Sequence, residues 1–411
     1  MKNNIVILDN GASTIKAGIA SGVLAEQEAV RLVPNAIVRS KGDKATYFGH
    51  EIAKCKDYSS LHYQLPFEKG YIVDWDAEKA IWDGVFSQEV LGVNTTESSL
   101  ILTEPYFNLP NIQEIYDQFV FEEYEFSSYH RCTPASLIPY GKLLGMPPSE
   151  CMLIVDSGFS FTHVVPMINN IISWPAVKRL DVGGKLLTNQ LKELISFHFK
   201  KDIETMRFDL DNPIVQKYVL PDTSTSRKGR LIEPGDMTLG SEQVLVMKNE
   251  RLSVPEIIFR PDDIGLASTI AESIACLPED LQPMFWENIG LIGGNIKFPG
   301  FRERLLSELR PLAPMYCEVR VHESTDPITE AYQSAYEFST RPDFSNHCLT
   351  RAEYLECGSN GSRRKFRDWK MQVDILSANE LRSQDDHPQH VNKRPRGRPP
   401  GNAVFTTRKQ G

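Results

Sequence analysis

Apolar and polar positions along the chain follow one pattern twice. From Asn4 to Gly18 the sequence runs as an apolar, β-branched stretch (Ile5, Val6, Ile7, Leu8), a bend at Asp9-Asn10-Gly11, a small-polar turn and a returning strand. From Cys151 to Pro166 the layout recurs. Met152 to Val155 form the apolar run, Asp156-Ser157-Gly158 the bend, and Phe159, Phe161, Val164 and Val165 are interleaved with Ser160, Thr162 and His163. Each stretch predicts a β-hairpin with a carboxylate at its bend. Such a bend can turn backbone N–H groups toward one point and bind phosphate, while the acid holds a divalent cation. A single Asp-x-Gly bend is most often a turn without a ligand. A second copy 147 residues away, about one domain length, points instead to two like domains facing each other across a cleft.

Other periodicities fill in the frame. Asp74 stands where it can cap a helix whose apolar face carries Ala77, Ile81, Trp82 and Val85. Leu100 to Pro105 reads as a short buried strand stopped by proline. Asn111 to Phe121 reads as a helix with Ile112, Ile115, Tyr116 and Phe119 on one side. Residues 31–70 are mixed and polar, with a turn at Pro34-Asn35, and read as a small insertion. Strands alternating with helices predict an α/β sheet protein.

Composition adds three constraints. A chain of 411 residues accommodates two domains or one large bilobal one. No apolar run approaches a membrane span, and the apolar N-terminal stretch is too short for a signal peptide. Seven cysteines with no C-x-x-C pair argue for a reducing compartment rather than a disulfide frame or zinc site, and Cys55, Cys151 and Cys276 are expected as core thiols. The net charge of −9 is uneven. Residues 363–411 carry twelve Lys/Arg against five Asp/Glu, which leaves the remainder at −16. An acidic body with a basic tail suits a protein that meets other proteins with one part and a polyanion with the other.

The ordered motifs carry a resemblance. The Asp9-Asn10-Gly11 loop, LILTEP at 100–105, FEEYEF at 121–126, IVDSGFSFTHVVP, RLDVGGKLLTNQL at 179–191, KYVLPD at 217–222, VPEIIFRPDDIG at 254–265 and IGGNIKFPGFRERL at 292–305 come in the order of the actin superfamily, which the chain resembles over residues 1 to about 360. The resemblance implies an actin-like bilobal α/β fold of duplicated ribonuclease-H-like domains. The first lobe would comprise 1–141, with 31–70 as its small subdomain, completed by 325–362. The second would comprise 142–324, with about 186–262 as its small subdomain.

It also implies ATP or ADP with magnesium in the cleft. Asp9 and Asp156 would order the magnesium through water. Asn10, Gly11, Ser13, Thr14, Ser157, Gly158, Ser160 and Phe161 would surround the phosphates with backbone or hydroxyl donors, and Lys16 would reach them as a point charge. Gly184, Gly293, Gly294 and Asn295 match positions near the ribose and adenine, where a missing side chain lets backbone come close. The departures bear on catalysis. Ala12 stands in place of a hydroxyl, Ala135 in place of the water-orienting glutamine, and Phe159 in place of a second acid, while His163 remains. Phosphoryl transfer depends on positioning and electrostatics, so the resemblance implies a non-catalytic member with nucleotide as a structural wedge. Two further departures touch binding itself. Only 23 residues separate Leu194 from Tyr218, with Glu204 a poor stand-in for a missing adenosine-contacting pair, and Ser334-Ala335 replaces a glycine pair near the base of the cleft.

Beyond Ser362 the resemblance stops, and the charged, proline-ending composition predicts disorder. Within 393–400, Lys393, Arg394, Arg396, Gly397, Arg398 and Pro399 resemble an AT-hook: extended by proline, thinned by glycine, with arginines directed along the narrow A·T minor groove. The alternative is an import signal or a solvated charge run. Within the superfamily the wording resembles a nuclear branch. That implies a subunit, located in the nucleus and secondarily in the cytoplasm, of a SWR/SRCAP-type chromatin remodeller that deposits the Z variant of histone two-A. Its partners would be remodeller subunits, histones or the nucleosome indirectly, and A·T-rich DNA weakly through the tail, with filament formation not expected. The competing expectations are an ATP-hydrolysing filament or chaperone-type ATPase, and a stand-alone DNA-binding protein.

Overall fold

The two repeated hydrophobic patterns become the centres of two sheets. In the computed structural model, the described residues are 4–20, 30–57, 60–145, 147–200, 216–220, 229–233, 235–237, 240, 242–260 and 264–366. Strands β1 (Asn4–Asn10) and β2 (Thr14–Ala20) form the first antiparallel hairpin, with Asp9 opposite Lys16. Strands Cys151–Ser157 and Thr162–Ile168 form the second, with Asp156 opposite His163. The two acids thus hold the same place in the register of their hairpins.

The repeat extends to topology. Strand β1 is followed on its other edge by parallel strands Ser98–Thr103 and Ser128–Cys132. Strand Cys151–Ser157 is followed likewise by parallel strands Ile289–Ile292 and Val321–Glu323. In both sheets the central strands are buried on both faces, which is why they read as unbroken apolar runs rather than as alternation. Smaller three-stranded sheets flank the two: Ile37–Ser40 with Ala45–Phe48 and Leu61–Gln64, and Gln216–Val219 with Arg230–Leu231 and Val244–Met247.

Local signals read from the sequence take their predicted forms. Helix α1 spans Trp75–Phe86, and the Asp74 carboxylate accepts from the Ala77 N–H at 3.0 Å. Its buried face holds Ala77, Ile81, Trp82 and Val85, and also Glu78. Helix α2 spans Pro110–Gln118 and runs into a wider turn at Phe119–Glu123; Tyr116 is fully buried, whereas Ile112, Ile115 and Phe119 are only partly so. Helix Glu330–Ser339 returns to the first sheet, packing Tyr332, Ala335 and Phe338 against Ile7, Ala20 and Ile101. The approach is close: a Cβ on Gly18 would lie 2.0 Å from the Tyr332 hydroxyl.

Three expectations change. Arg31–Pro34 is not part of the small insertion. It pairs with β2 and extends the first sheet, because Val33 is buried opposite Ile15. Cys276 is exposed, since helix Leu266–Ala275 buries Leu266, Ala267, Ile270 and Ile274 and ends before it; Cys55 and Cys151 are buried as expected, and all seven cysteines are unpaired. Ser334 and Ala335 are buried in their helix, where Ser334 packs on Gly141, and they stand behind the cleft rather than in its lining. Residues 201–215, with Glu204, and the tail 367–411, with the hook at 393–400, lie outside the described residues.

Candidate functional site: the cleft between the hairpins

The bends of the two hairpins line one cavity of about 370 Å³, within the range of small-molecule sites. Of the residues singled out in the sequence, Asp9, Asn10, Gly11, Ser13, Thr14, Lys16, Asp156, Gly158, Ser160, Phe161, Gly184, Gly293, Gly294 and Asn295 all line it. Ser157 does not. Its hydroxyl is buried behind the bend, bonded to Thr162 Oγ1 at 2.9 Å and accepting from Asn295 Nδ2 at 3.1 Å.

Backbone constraints explain the glycines. Gly293 has φ of +100°, and a Cβ there would sit 2.3 Å from the Ser157 carbonyl oxygen, so only glycine fits. At Gly294 a Cβ would meet nothing within 4 Å, leaving room on the cavity side. Gly183, not singled out in the sequence, is the tighter member of its pair: its Cβ would stand 2.5 Å from the Phe159 carbonyl oxygen. The N–H groups of Gly184 and Lys185, which open helix Gly184–Lys200, donate to the carbonyls of Gly158 and Phe159 at 3.0 and 2.8 Å. The helix therefore braces the second bend and presents its positive end nearby.

The electrostatics are unequal on the two sides. Lys16 Nζ lies 3.0 Å from Asp9 Oδ2, and Thr103 Oγ1 donates to Asp9 Oδ1 at 2.7 Å while accepting from the Asn10 N–H at 2.9 Å. Across the cleft no cationic side chain among the described residues is bonded to Asp156. Burial pushes its carboxyl up to about 6, with Asp9 adding to the rise and the Tyr106 hydrogen bond and Lys16 opposing it. His163 is held down at about 3 by burial and, secondarily, by Arg179, so it is neutral at ordinary pH. Arg179 also lines the cavity, its guanidinium 4.5 Å from the centre of the Phe161 ring and its Nε 2.8 Å from Asp181.

Several contributors carried no motif. Tyr106 is 4% exposed; its hydroxyl donates to Asp156 Oδ2 at 2.9 Å and accepts from the Ala135 N–H at 3.1 Å, with its ring centroid 4.4 Å from that of His163. Glu78 lies behind the first bend. Its Oε1 accepts from Asn10 Nδ2 at 2.7 Å, Trp82 Nε1 at 3.1 Å and Asn35 Nδ2 at 3.4 Å, while Asn35 also donates to the Gly11 carbonyl at 3.1 Å. Burial pushes Glu78 up to about 7 against those three hydrogen bonds. A polar residue on the apolar face of a capped helix was the available signal for Glu78. For Tyr106 there was none, because its partners lie 29 and 50 residues away.

The arrangement fits a nucleotide polyphosphate: two glycine-bearing bends, open space at Gly294 and a lysine on the cavity wall. Among the described residues no three His, Cys, Asp or Glu side chains converge as a metal cage. Asp9 and Asp156 suit a hydrated magnesium that keeps its waters and leans on phosphate.

Duplicated sheets that turn matching Asp-x-Gly hairpins to a shared cavity define an actin-like fold. The chain belongs to the actin family, whose profile, described as Actin, matches residues 1–207 and 195–367. It is 46% identical over 417 residues to the actin-like protein ARP6 of Cryptococcus neoformans, covering 88% of this chain and 84% of that protein. It is 33% identical over 399 residues to actin-related protein 6 of Drosophila melanogaster, covering 88% and 99%. Against actin-related protein 6 of Arabidopsis thaliana it is 33% identical over 423 residues, covering 89% and 99%.

Proposed function

We propose that this chain is a non-catalytic nuclear subunit of a SWR/SRCAP-type chromatin remodeller that deposits the Z variant of histone two-A, with the motor in another subunit. The actin-related part of this reading is supported by similarity to an actin-like protein ARP6 of a fungus and to proteins named actin-related protein 6 in a fly and a plant; the assembly is what the resemblance of the sequence motifs implies. The observation that carries the non-catalytic part is at Ala135. That position has only a methyl group, and its N–H is already bonded to Tyr106, so no side chain from it orients water.

When bound, a nucleotide with magnesium supplies negative charge and a cation between the two bends. Lys16 would offset that charge from the first hairpin, and Asp9 and Asp156 would hold the cation through its waters. Asn295 ties the Gly293-Gly294 turn to the second hairpin by donating to the Gly158 carbonyl at 2.9 Å. His163, neutral, has no proton to give as an imidazolium. The chemistry left to these residues is holding, which makes the nucleotide a wedge between lobes. The tail would add weak contacts to A·T-rich DNA.

The test is affinity purification of the tagged full chain from nuclear extract, with identification of what co-purifies. Remodeller subunits, including a separate ATPase, are expected. A chain recovered alone as filaments with steady phosphate release would overturn the proposal.

A further inference from the structure

Resting on the reading that the cleft takes a nucleotide, we propose that Glu78 is a positioning residue behind the first phosphate-binding bend and takes up a proton when the polyphosphate binds. Nucleotide affinity is then regulated by pH through a side chain that does not itself touch the ligand.

The two oxygens of Glu78 are used unequally. Oε1 accepts all three hydrogen bonds, from Asn10 Nδ2 at 2.7 Å, Trp82 Nε1 at 3.1 Å and Asn35 Nδ2 at 3.4 Å. Oε2 is buried and accepts from no group among the described residues. A proton therefore has a seat on Oε2, and taking it leaves Oε1 as an acceptor for the same three donors. Protonation removes the charge and keeps the scaffold.

That scaffold reaches the cavity. Asn10 and Gly11 line it, and Asn35 also donates to the Gly11 carbonyl at 3.1 Å, so Glu78 shapes the turn from behind. The acid is 0% exposed and no cationic side chain among the described residues is bonded to it. Burial disfavours the charged form and pushes its carboxyl up to about 7 against the three hydrogen bonds. Of the titratable groups on the elements around helix α1, Lys16 pairs with Asp9, His50 faces Glu89, Tyr47 donates to Asp43, and Glu51 accepts from the Phe48 N–H. Burial raises the Tyr116 and Tyr124 hydroxyls, so both stay neutral. None of these groups supplies the missing countercharge.

A polyphosphate at the first bend brings negative charge to the other side of the same turn. Like charges across one turn disfavour each other, and a proton on Oε2 relieves the repulsion. The coupling is reciprocal: a nucleotide that raises the proton affinity of Glu78 is bound more tightly once Glu78 is protonated. Below about pH 7 the free protein already carries that proton, and affinity is at its upper level. Above it the proton must be taken up on binding, and affinity falls.

The test measures ATP binding to the full chain in millimolar magnesium by calorimetry, at about pH 6.5 and about pH 8.5, for the wild type and Glu78→Gln. The nucleotide's own titration and that of Asp156 are common to both proteins, so the comparison isolates Glu78. Between the two pH values the wild type should lose about fivefold more affinity than Glu78→Gln. A merely structural Glu78 would shift both values alike. At about pH 7.5 the wild type should take up about half a proton on binding, read from the dependence of the heat on the buffer's ionisation enthalpy. Equal losses in the two proteins overturn the proposal. So does the absence of proton uptake by the wild type, even if Glu78→Gln does not fold. If neither protein binds ATP at either pH, the nucleotide reading has failed and this inference falls with it, an outcome distinct from binding that ignores Glu78.

Discussion

Lys16 Nζ stands 3.0 Å from Asp9 Oδ2, whereas the residue at the same register of the other hairpin, facing Asp156, is a histidine kept neutral by burial. The duplicated frame is symmetric, but its charge compensation is not. Binding should therefore depend on the first hairpin. A ligand bound only to the native state adds RT ln(1 + [L]/Kd) to stability, about 2.7 kcal/mol at a hundredfold excess over Kd. Millimolar ATP should raise the melting temperature of the wild type, and the double variant Asp9→Ala, Lys16→Ala should show no increment. No shift in the wild type would mean that the cleft does not hold nucleotide.

Turnover should be absent. With Ala135 unable to orient water and His163 neutral, phosphate release by the purified chain should equal that of an Asp156→Ala control. A magnesium-dependent excess over that control would make the protein an ATPase.

Glu78 predicts a pH dependence with a definite sign. Its carboxyl is raised from 4.5 to about 7 by burial, so between these values the native state binds more protons than the unfolded one. Stability then falls as pH rises, because the slope follows protons bound in the unfolded state minus the native. The full cost, of order 3 kcal/mol, is present above about pH 7 and absent below 4.5. Replacing Glu78 by Gln keeps an acceptor for Asn10 and Trp82 without the charge. Urea unfolding at pH 5 and pH 8 should show Glu78→Gln gaining on the wild type at the higher pH. A difference that does not change with pH would remove Glu78 as the titrating group.

These residues also show how far the chain could be read in advance. The hairpins were legible because a buried strand, an Asp-x-Gly bend and a return strand are all local, and two copies reinforce each other. The Asp74 cap and the Ala77–Val85 face were legible for the same reason. Tyr106 was not: after Pro105 it reads only as the end of a strand, and its two partners are brought to it by separate elements. Cys276 was misplaced because hydrophobicity alone does not say where a helix ends. Arg131, in the strand Ser128–Cys132, carried no motif, yet it is fully buried with its charge partners on two other segments.

Arg131 donates from Nη1 to Asp117 Oδ1 at 2.8 Å and to the Gln113 carbonyl at 3.1 Å, and its Nε lies 3.2 Å from Glu104 Oε1. Removing one member of a buried pair strands the others, at a cost of about 3–5 kcal/mol. Arg131→Met should lower the unfolding free energy obtained from urea titration by about that amount, and adding Asp117→Asn should recover part of it. A double variant no better than the single would show that Asp117 is not the stranded charge.

The tail prediction separates a groove reader from a charge run. Residues 363–411 carry a surplus of seven positive charges, whereas the body is acidic, so the full chain should bind duplex DNA only through the tail and only weakly. If Arg396 and Arg398 lie in the minor groove, they should favour A·T tracts, where the groove is narrow and its negative potential strongest. Lys393, Arg394, Arg408 and Lys409 would touch phosphates, which carry no sequence information. Titration of labelled A·T-rich and G·C-rich duplexes with the full chain at two salt concentrations should therefore show a preference for A·T. Arg396→Ala with Arg398→Ala should erase that preference. Replacing the outer four by alanine should weaken both duplexes alike and flatten the salt dependence. Equal binding of the two duplexes by the wild type would reduce the segment to a charge run, as an import signal would be, and the chromatin assignment would then rest on the actin-like body alone.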